Sequence, residues 1–407
     1  MSTCRYRRLV PFGLGLLALL SNVARAASGV PSDWGINIQP PVTPIAQDIM
    51  HLHMMVFYIC VGIFVVVAGF MFYSIIFHRK SRGYRPATFH ESTTVEIIWT
   101  IIPFVILIAM AIPATSTLLK IVNTRPGTQL LVKVTGYQWK WRYSYPKQHI
   151  AFFSSLSTPL AQIDDKAPKN PHFLLQVNHP LVLPVNEKVR FLITSNDVIH
   201  GWWVPALGIQ DDAIPGFIHE GWATILKPGV YRGQCAQLCG AGHGFMPIVV
   251  KAVPQAQFVS WVKKEQAGEQ IASANSAAAT SKVWTKAALM TKGKQVFQTS
   301  CSVCHQASGQ GVPGMFPPIS AGHPFNAAPT LTAKLARRGF YKGGKIVEGP
   351  VAKHVDIVLN GISGTPMPAW GPQLSNAAIA AVITYERNAF GNHTGDIVQP
   401  SQIQAAR

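Results

Sequence analysis

The sequence predicts a multidomain membrane protein in which a two-helix transmembrane hairpin precedes an all-β unit and then an all-α unit. Three observations carry this. Two apolar runs, at about 53–77 and 95–118, are each long enough to cross a bilayer as a helix, for which about 20 residues suffice. From Thr128 to about Val253 the texture changes to short β-rich runs broken by Pro, Gly and Asn. From Val283 onward helical patterns return.

Composition agrees. Of 407 residues, 48% are hydrophobic and only 13% charged. That charge content is about half of the usual quarter, which excludes disorder for most of the chain and argues against a simple cytosolic globule. The length suits two or three units. The chain carries 35 Lys+Arg against 17 Asp+Glu, a formal net charge of +18. Such an excess could serve nucleic acid, but no basic cluster sits on a nucleic-acid motif, so no nucleic-acid partner is expected. Six cysteines are too few for a disulfide scaffold, so their spacing is read for metal or cofactor chemistry.

The elements follow in order. Arg5, Arg7 and Arg8, an apolar run over 9–20 and then Ala24-Arg25-Ala26 form a secretory signal over 1–26, cleaved after Ala26. The bland alternative is an uncleaved short anchor. Residues 27–120 hold an N-terminal segment and the hairpin. Between its spans Arg79, Lys80, Arg82 and Arg85 are opposed only by Glu91. Positive loops stay inside, so everything after about residue 120 is expected outside. Pro103 and Pro113 are tolerable in a membrane helix whose neighbours satisfy the freed carbonyls. Two spans are too few for a transporter, so the helices are expected to pack on a larger partner. Glu96, at the inner start of the second span, reads either as an interfacial carboxylate or as a group at the mouth of a proton path. Strands at 130–134, 189–193 and 247–253 suggest a sandwich or barrel over 121–265. Residues 266–281 are small and polar without periodicity and read as a flexible linker. An all-α unit over 282–395 contains helices at 287–296 and 376–390, and 396–407 reads as a tail.

Two constellations carry chemistry. Cys235, Cys239, His243 and Met246 fall within twelve positions of a loop between strands, and His200 stands upstream after Asp197. Thiolate, thioether and imidazole together select copper over hard ions. A second Cys four residues on lets two thiolates bridge two metals, each completed by one His. Met246 and a main-chain carbonyl in the loop would be the weak ligands. A disulfide, a structural zinc site, or Met246 as mere packing are the rival readings. The second constellation is Cys301-Ser302-Val303-Cys304-His305, the C-x-x-C-H signature of c-type haem attachment. A thioredoxin-like pair is the bland alternative. Met367, in Gly364-Thr365-Pro366-Met367-Pro368, is the candidate sixth ligand, with Met315 as competitor. Met/His ligation leaves no open site and suits electron transfer. His172, His179, His219, His323, His354 and His393 have no metal partner at a telling spacing and are expected at surface or satisfied positions. No phosphate loop and no Ser/His/Asp ordering points to a hydrolase.

The run 235–246, with Asp197-Val198-Ile199-His200-Gly201-Trp202 upstream, resembles subunit II of the haem-copper cytochrome c oxidases. So do Val95-Glu96-Ile97-Ile98-Trp99-Thr100-Ile101-Ile102-Pro103 and Gly136-Tyr137-Gln138-Trp139-Lys140-Trp141. The resemblance covers roughly residues 45–260. It implies a cupredoxin β-barrel holding the binuclear copper centre CuA. The implied ligands are His200, Cys235, the backbone carbonyl of Gln237, Cys239, His243 and Met246. Trp139 falls where the family takes in electrons, although a buried barrel tryptophan is the alternative, and Glu96 falls at the mouth of a proton path. The family commonly has Glu where this chain has Gln237, so the magnesium contact that such a carboxylate makes at the subunit boundary is not carried over, though Asp212 could still contribute.

The segment 283–393 is similar to a class I cytochrome c domain, and the whole order resembles subunit II of cytochrome-c-fused terminal oxidases. The implied path runs from an external donor to haem c, to CuA, to the haem of subunit I, where oxygen is reduced with proton translocation. The implied partners are subunits I and III, a periplasmic electron donor and membrane lipid. The implied place is the bacterial inner membrane, with both redox domains on the periplasmic side. Charge departs from the family: residues 125–265 carry 14 Lys+Arg and 8 Asp+Glu, and residues 282–407 carry 12 and 4. A basic donor would be repelled by such domains. The rival functions are an electron-input subunit of a CuA-bearing nitric oxide reductase, and a membrane-tethered redox carrier without an oxidase partner.

Overall fold

The computed structural model describes Val30, Thr88 and residues 35–85, 90–365 and 367–407. The expected signal over 1–26 and Pro366 lie outside these residues. The chain divides into two compact units, residues up to 147 with 154–258, and residues 148–153 with 259–407.

In the first unit, α1 (Pro44–Phe77) and α2 (Thr93–Val122) are the two helices long and apolar enough to cross a membrane. At 1.5 Å per residue, 34 residues make α1 about 51 Å long, well beyond a hydrocarbon core of about 30 Å. It starts ahead of the apolar run because Thr43 and Pro44 form a strong start signal. The Thr43 hydroxyl accepts from Ala46 N at 3.0 Å and donates to Leu207 O at 2.8 Å. That first turn is buried on the β domain. Val42 N donates to Ala206 O at 3.0 Å, and Leu226 N donates to Val42 O at 2.9 Å. Gly208 permits the approach: with φ of +69°, it would place a Cβ 2.9 Å from Ala46 Cα. α2 is rooted by Trp222 Nε1, which donates to the carbonyls of Lys120 and Ile121 at 3.1 and 3.0 Å. Lys120 pairs with Asp48 of α1 at 2.8 Å. Elsewhere both helices expose large apolar side chains such as Phe64 and Phe104, a surface suited to lipid rather than water.

The β domain is a two-sheet sandwich. In one sheet β2 (Lys140–Tyr145), β1 (Leu130–Tyr137), β5 (Lys188–Ser195) and β8 (His219–Thr224) lie in that order. The β1/β5 pair is parallel, with Leu130 opposite Val189, and its neighbours are antiparallel. The other sheet runs β4 (Leu181–Pro184), β10 (Pro247–Val253), β9 (Gly229–Cys235), β6 (His200–Val204), β7 (Ile209–Ala213). The short β3 (Ile150–Ser154) falls with the second unit except for its last residue, and α3 (Leu160–Ile163) is a single turn. Alternation sets the core: along β5, Val189, Phe191, Ile193 and Ser195 are buried while the residues between them are not. Trp141, Tyr143, Trp202 and Tyr231 fill the interior. This is the cupredoxin-like β domain expected from the sequence.

α4 (Gln255–Ser281) differs from expectation. Residues 266–281 form its C-terminal part rather than a flexible linker. Ala, Gln, Glu and Ser carry good to fair helix propensity without any apolar periodicity, and the ends of this stretch are tied down, Gln266 Nε2 donating to Gln148 O and the buried Thr280 hydroxyl accepting from Asn376.

The second unit is helical, as expected for a cytochrome c domain. α5 (Lys286–Val296) crosses α9 (Asn376–Asn388) at Gly293, where a Cβ would come within 2.2 Å of Ala381 O. Below the crossing, Leu289, Phe297, Ile379 and Ile383 form the core. A π-helical stretch over Phe297–Cys301 leads into α6 (Ser302–His305). α7 (Pro329–Arg337), the hairpin of β11 (Tyr341–Lys342) and β12 (Lys345–Ile346), and α8 (Val351–Asn360) surround a smaller cluster of Phe325, Leu335, Ile346, Ile357 and Ile362. Residues 396–407 are more than a tail. They place Val398 and Ile403 of α10 (Pro400–Ala406) in the main core, at 1% and 0% exposure.

Candidate metal centre and haem pocket

The metal loop spans the end of β9 and the start of β10, which are hydrogen-bonded neighbours, so both ends of the loop are fixed. Cys235 closes β9 opposite Trp202, and His200 opens β6 two residues earlier. Those strands bring His200, Cys235 and Cys239 together, with ligand atoms all within 4.8 Å of one another. The two sulfurs are 3.8 Å apart and both thiols are free. A disulfide needs about 2.05 Å, so this is a pair spaced to share ions rather than a bond.

Each thiol has its own imidazole. His200 Nδ1 is 4.0 Å from Cys235 Sγ, and His243 Nδ1 is 3.6 Å from Cys239 Sγ. Met246 Sδ lies 3.5 Å from Cys239 Sγ, and Gln237 O lies 3.4 Å from Cys235 Sγ. The structure thus gathers all six ligands expected from the sequence. The donors are three sulfurs, two imidazoles and one carbonyl, a soft set that fits copper. The two thiols also influence each other. Cys235 is pushed down to about 3, chiefly by the hydrogen bond from Cys239 and then by His200, while its partner is pushed up.

The surrounding shell was less legible. Asp197 accepts from His200 Nε2 at 2.8 Å, which fixes Nδ1 toward the sulfurs. Burial disfavours charge on His200, but Asp197 and Cys235 together hold its pKa above the ordinary value. Asp197 also accepts from Gln138 N at 2.7 Å. Trp139 Nε1 and Gln138 Nε2 both donate to Cys239 O, at 3.1 and 2.8 Å. Trp139 therefore touches the ligand loop directly and is half-buried. Gly242 makes room for it, since a Cβ there would be 2.3 Å from the indole. Trp141 Nε1 donates to Met246 O at 3.3 Å. The sequence signals for this shell were the i,i+3 spacing of Asp197 and His200 and the aromatic stretch over 136–141, which holds Gln138, Trp139 and Trp141.

Magnesium does not fit beside the loop. Gln237 Nε2 donates to both oxygens of Asp212, at 3.0 and 3.1 Å, so the side-chain amide occupies the carboxylate with N–H donors. A divalent cation wants oxygen ligands, and the Gln237 side chain turns its nitrogen to that point instead.

In the second unit a cavity with about 1230 Å³ of space, part of it open to solvent, is lined by Cys301, Cys304, His305, Met315 and Met367. Its walls are mainly apolar. His305 Nδ1 donates to Pro317 O at 2.8 Å, which leaves Nε2 for a metal. Burial lowers the His305 pKa below the ordinary imidazole value, against the raising influence of Glu386 and the Pro317 carbonyl. Burial pushes Cys304 up to about 11. Met367 packs against both core clusters, whereas Met315 is 50% exposed. The loop before Met367 folds back tightly, Ile362 N donating to Met367 O at 3.1 Å. Gly361, at φ +69°, is needed there because a Cβ would be 2.6 Å from that carbonyl. Two free thiols, an imidazole and a thioether around one apolar cavity fit a covalent haem. His354, expected as satisfied, is in the wall of this cavity and bonded to Glu386.

Glu96 lies in the first turn of α2, exposed, with Oε1 3.4 Å from Ser92 N. It lies on the hairpin, away from both ligand sets in sequence, and no metal-ligating group accompanies it among the described residues.

Three family models match the chain. "Cytochrome C oxidase subunit II, transmembrane domain" covers residues 31–116, and the periplasmic domain of the same subunit covers residues 130–253. "Cytochrome C oxidase, cbb3-type, subunit III" covers residues 288–385. The probable cytochrome c oxidase subunit 2 of Rickettsia conorii is 40% identical over 250 residues, 61% of this chain and 78% of the relative. The chain belongs to the cytochrome c oxidase subunit II family. The subunit 2 of Cereibacter sphaeroides is 34% identical over 271 residues, covering 62% of this chain and 89% of the relative. A crystal structure of the periplasmic domain of subunit II from Bradyrhizobium japonicum is 40% identical, covers 35% of this chain and 97% of that one, and has a TM-score of 0.31. This subunit II is thus an oxidoreductase component that works with subunit I. Its family domain implies CuA copper, its C-terminal domain implies haem, and its two apolar helices anchor it to a membrane.

Proposed function

We propose that this subunit II is the electron-input chain of a haem-copper cytochrome c oxidase, relaying electrons from an external donor through the Cys301–Cys304–His305 site to the Cys235–Cys239 site and on to subunit I. The carrying observation is the 3.8 Å thiol pair with an imidazole at each sulfur. Bound copper and haem supply one-electron chemistry. The chain's own residues supply the rest. Cys235, Cys239, His200 and His243, with Met246 and the Gln237 carbonyl, would hold copper, which would supply one-electron chemistry there. Because His200 and Cys235 sit on strand ends and the loop carrying the other ligands is fixed at both ends, the site would reorganise little when its charge changes. Trp139, bonded to the Cys239 carbonyl, is the electron-input residue of the copper site. Cys301, Cys304 and His305 would attach and hold a haem, with Met367 in the same cavity wall as a further ligand. Joining both sites in one chain replaces a bimolecular docking step with an intramolecular one.

Glu96 is the group at the mouth of the proton path in the partner, and oxygen reduction there is coupled to proton translocation. The Arg79–Arg85 loop is cytoplasmic and both redox domains are periplasmic, in a bacterial inner membrane with subunits I and III. Metal analysis and spectroscopy of the purified oxidase test the relay. Two coppers per chain with a mixed-valence copper EPR signal, and c-haem bands that persist on denaturation, are expected. A single copper per chain, or consumption of nitric oxide instead of oxygen, would overturn it. Replacing Trp139 by Phe should leave copper content unchanged and slow reduction of the copper site.

A further inference from the structure

A buried acid–imidazole pair lies in the wall of the cavity that holds Cys301, Cys304 and His305. The Glu386 side chain on α9 is 6% exposed, and its Oε2 is 2.9 Å from Nε2 of His354 on α8, itself 14% exposed. The other ring nitrogen, His354 Nδ1, is buried and has no hydrogen-bond partner among the described residues. Phe340 meets the ring edge-on, with centroids 5.6 Å apart. The neutral and charged forms of His354 therefore differ by one proton on Nδ1, a buried atom with nothing to accept from it.

One other titratable group faces the pair: Glu348 lines the same cavity and interacts with His354, and burial raises its pKa despite Arg387. Arg387, next to Glu386 on α9, bonds to Asp396 of the C-terminal segment, to Glu348 of the loop before α8 and to Gly349 O. On α8 itself Lys353 is exposed and Asp356 lies 4.0 Å from Arg338. From α6, His305 feels both Glu386 and His354 electrostatically. His354 is thus the direct partner of Glu386, beside the site of a metal whose charge changes by one.

We propose that His354 and Glu386 form a proton-accepting pair that takes up a proton when the haem held by Cys301, Cys304 and His305 is reduced and releases it on oxidation, so that this haem's midpoint potential depends on pH. The proposal rests on the haem assignment above. On reduction the electron comes from the external donor and the proton passes from solvent to His354 Nδ1. On oxidation the electron leaves to the copper site and the proton returns to solvent. Reduction removes one positive charge from the iron, so the pair binds its proton more tightly in the reduced state. Raising the pH therefore favours the oxidised form and lowers the potential.

The test is a spectroelectrochemical titration of the c-haem band in the intact oxidase from about pH 5 to about pH 9, bracketing the ordinary histidine value of about 6.5. The potential should fall with pH, by at most about 59 mV per unit, the one-electron equivalent of a tenfold change in proton activity. H354Q should flatten that slope while keeping the haem attached. E386Q should raise the potential at the alkaline end, because a buried negative charge is gone. A flat profile in the wild type, or an unchanged slope in H354Q, overturns the proposal. If H354Q fails to attach haem, redox-induced infrared difference spectra of the wild type decide. Imidazole ring bands must change with c-haem reduction, and changes confined to carboxyl bands overturn the pair. Absence of covalent haem in the wild type would instead refute the haem assignment.

Discussion

Cys239 sits at the centre of the metal loop, within 3.8 Å of Cys235 Sγ, His243 Nδ1 and Met246 Sδ, and its carbonyl takes two side-chain hydrogen bonds. Cys239→Ser should therefore reduce copper from two ions to at most one per chain and abolish the mixed-valence EPR pattern, with c-haem bands unchanged. Gly242→Ala tests the indole contact independently. Its new methyl would overlap Trp139, at a cost of about 1–3 kcal/mol, measurable as a lowered copper-domain melting temperature. In the haem unit, Met367→Ala should lower the c-haem potential and Met315→Ala should leave it unchanged, since only the former is packed into the core. An unchanged potential in the Met367 variant would reassign the sixth ligand. The candidate ligands were legible in the sequence because five of the six copper candidates and all three haem-attachment candidates lie within single short runs. Their supports were not. Gln138 reaches Asp197 across 59 positions and Cys239 across 101, pairings that only the sheet register creates.

Among the elements, three strands, at 130–134, 189–193 and 247–253, were legible from apolar, β-rich runs, and the hairpin from hydropathy. α4 was not, because its propensity comes without a face, and α10 was not, because seven residues leave too little pattern to distinguish a docked helix from a tail. The α5/α9 crossing depends on one missing side chain. Gly293→Ala would press a methyl against Ala381 O and should destabilise the haem unit by about 1–3 kcal/mol, read from its thermal unfolding. Glu220 ties β8 to the end of α2. It accepts from Arg190 and, at 2.7 Å, from Thr124. The Arg190 bond, then Thr124, hold its pKa below the ordinary carboxylate value. A depressed pKa contributes stability above the unfolded value of about 4.3 and loses it as pH falls through the folded value. Glu220→Gln should thus weaken the β domain at neutral pH and little below about pH 4, a difference that pH-dependent urea unfolding would reveal.

For the whole molecule, charge is the feature that neither the sites nor the fold explains. Both regions that follow the hairpin are net positive, with 14 Lys+Arg against 8 acids over 125–265 and 12 against 4 over 282–407. Opposite charge steers encounter, so an acidic donor should reduce the haem faster at low salt, with the rate falling as ionic strength rises. Stopped-flow reduction by the native donor would show this, and a salt-independent rate would remove charge as the basis of recognition. The rooting of the hairpin has a practical side. Excising the β domain at residue 123 for solution work would strip Thr43 and Val42 from Leu207 O, Ala206 O and Leu226 N, and bare the glycine surface beneath Ala46. Such a fragment would present raw peptide groups and a greasy notch to solvent, an invitation to stick to its neighbours, and a short peptide covering 42–52 supplied in trans would be the natural way to blunt it.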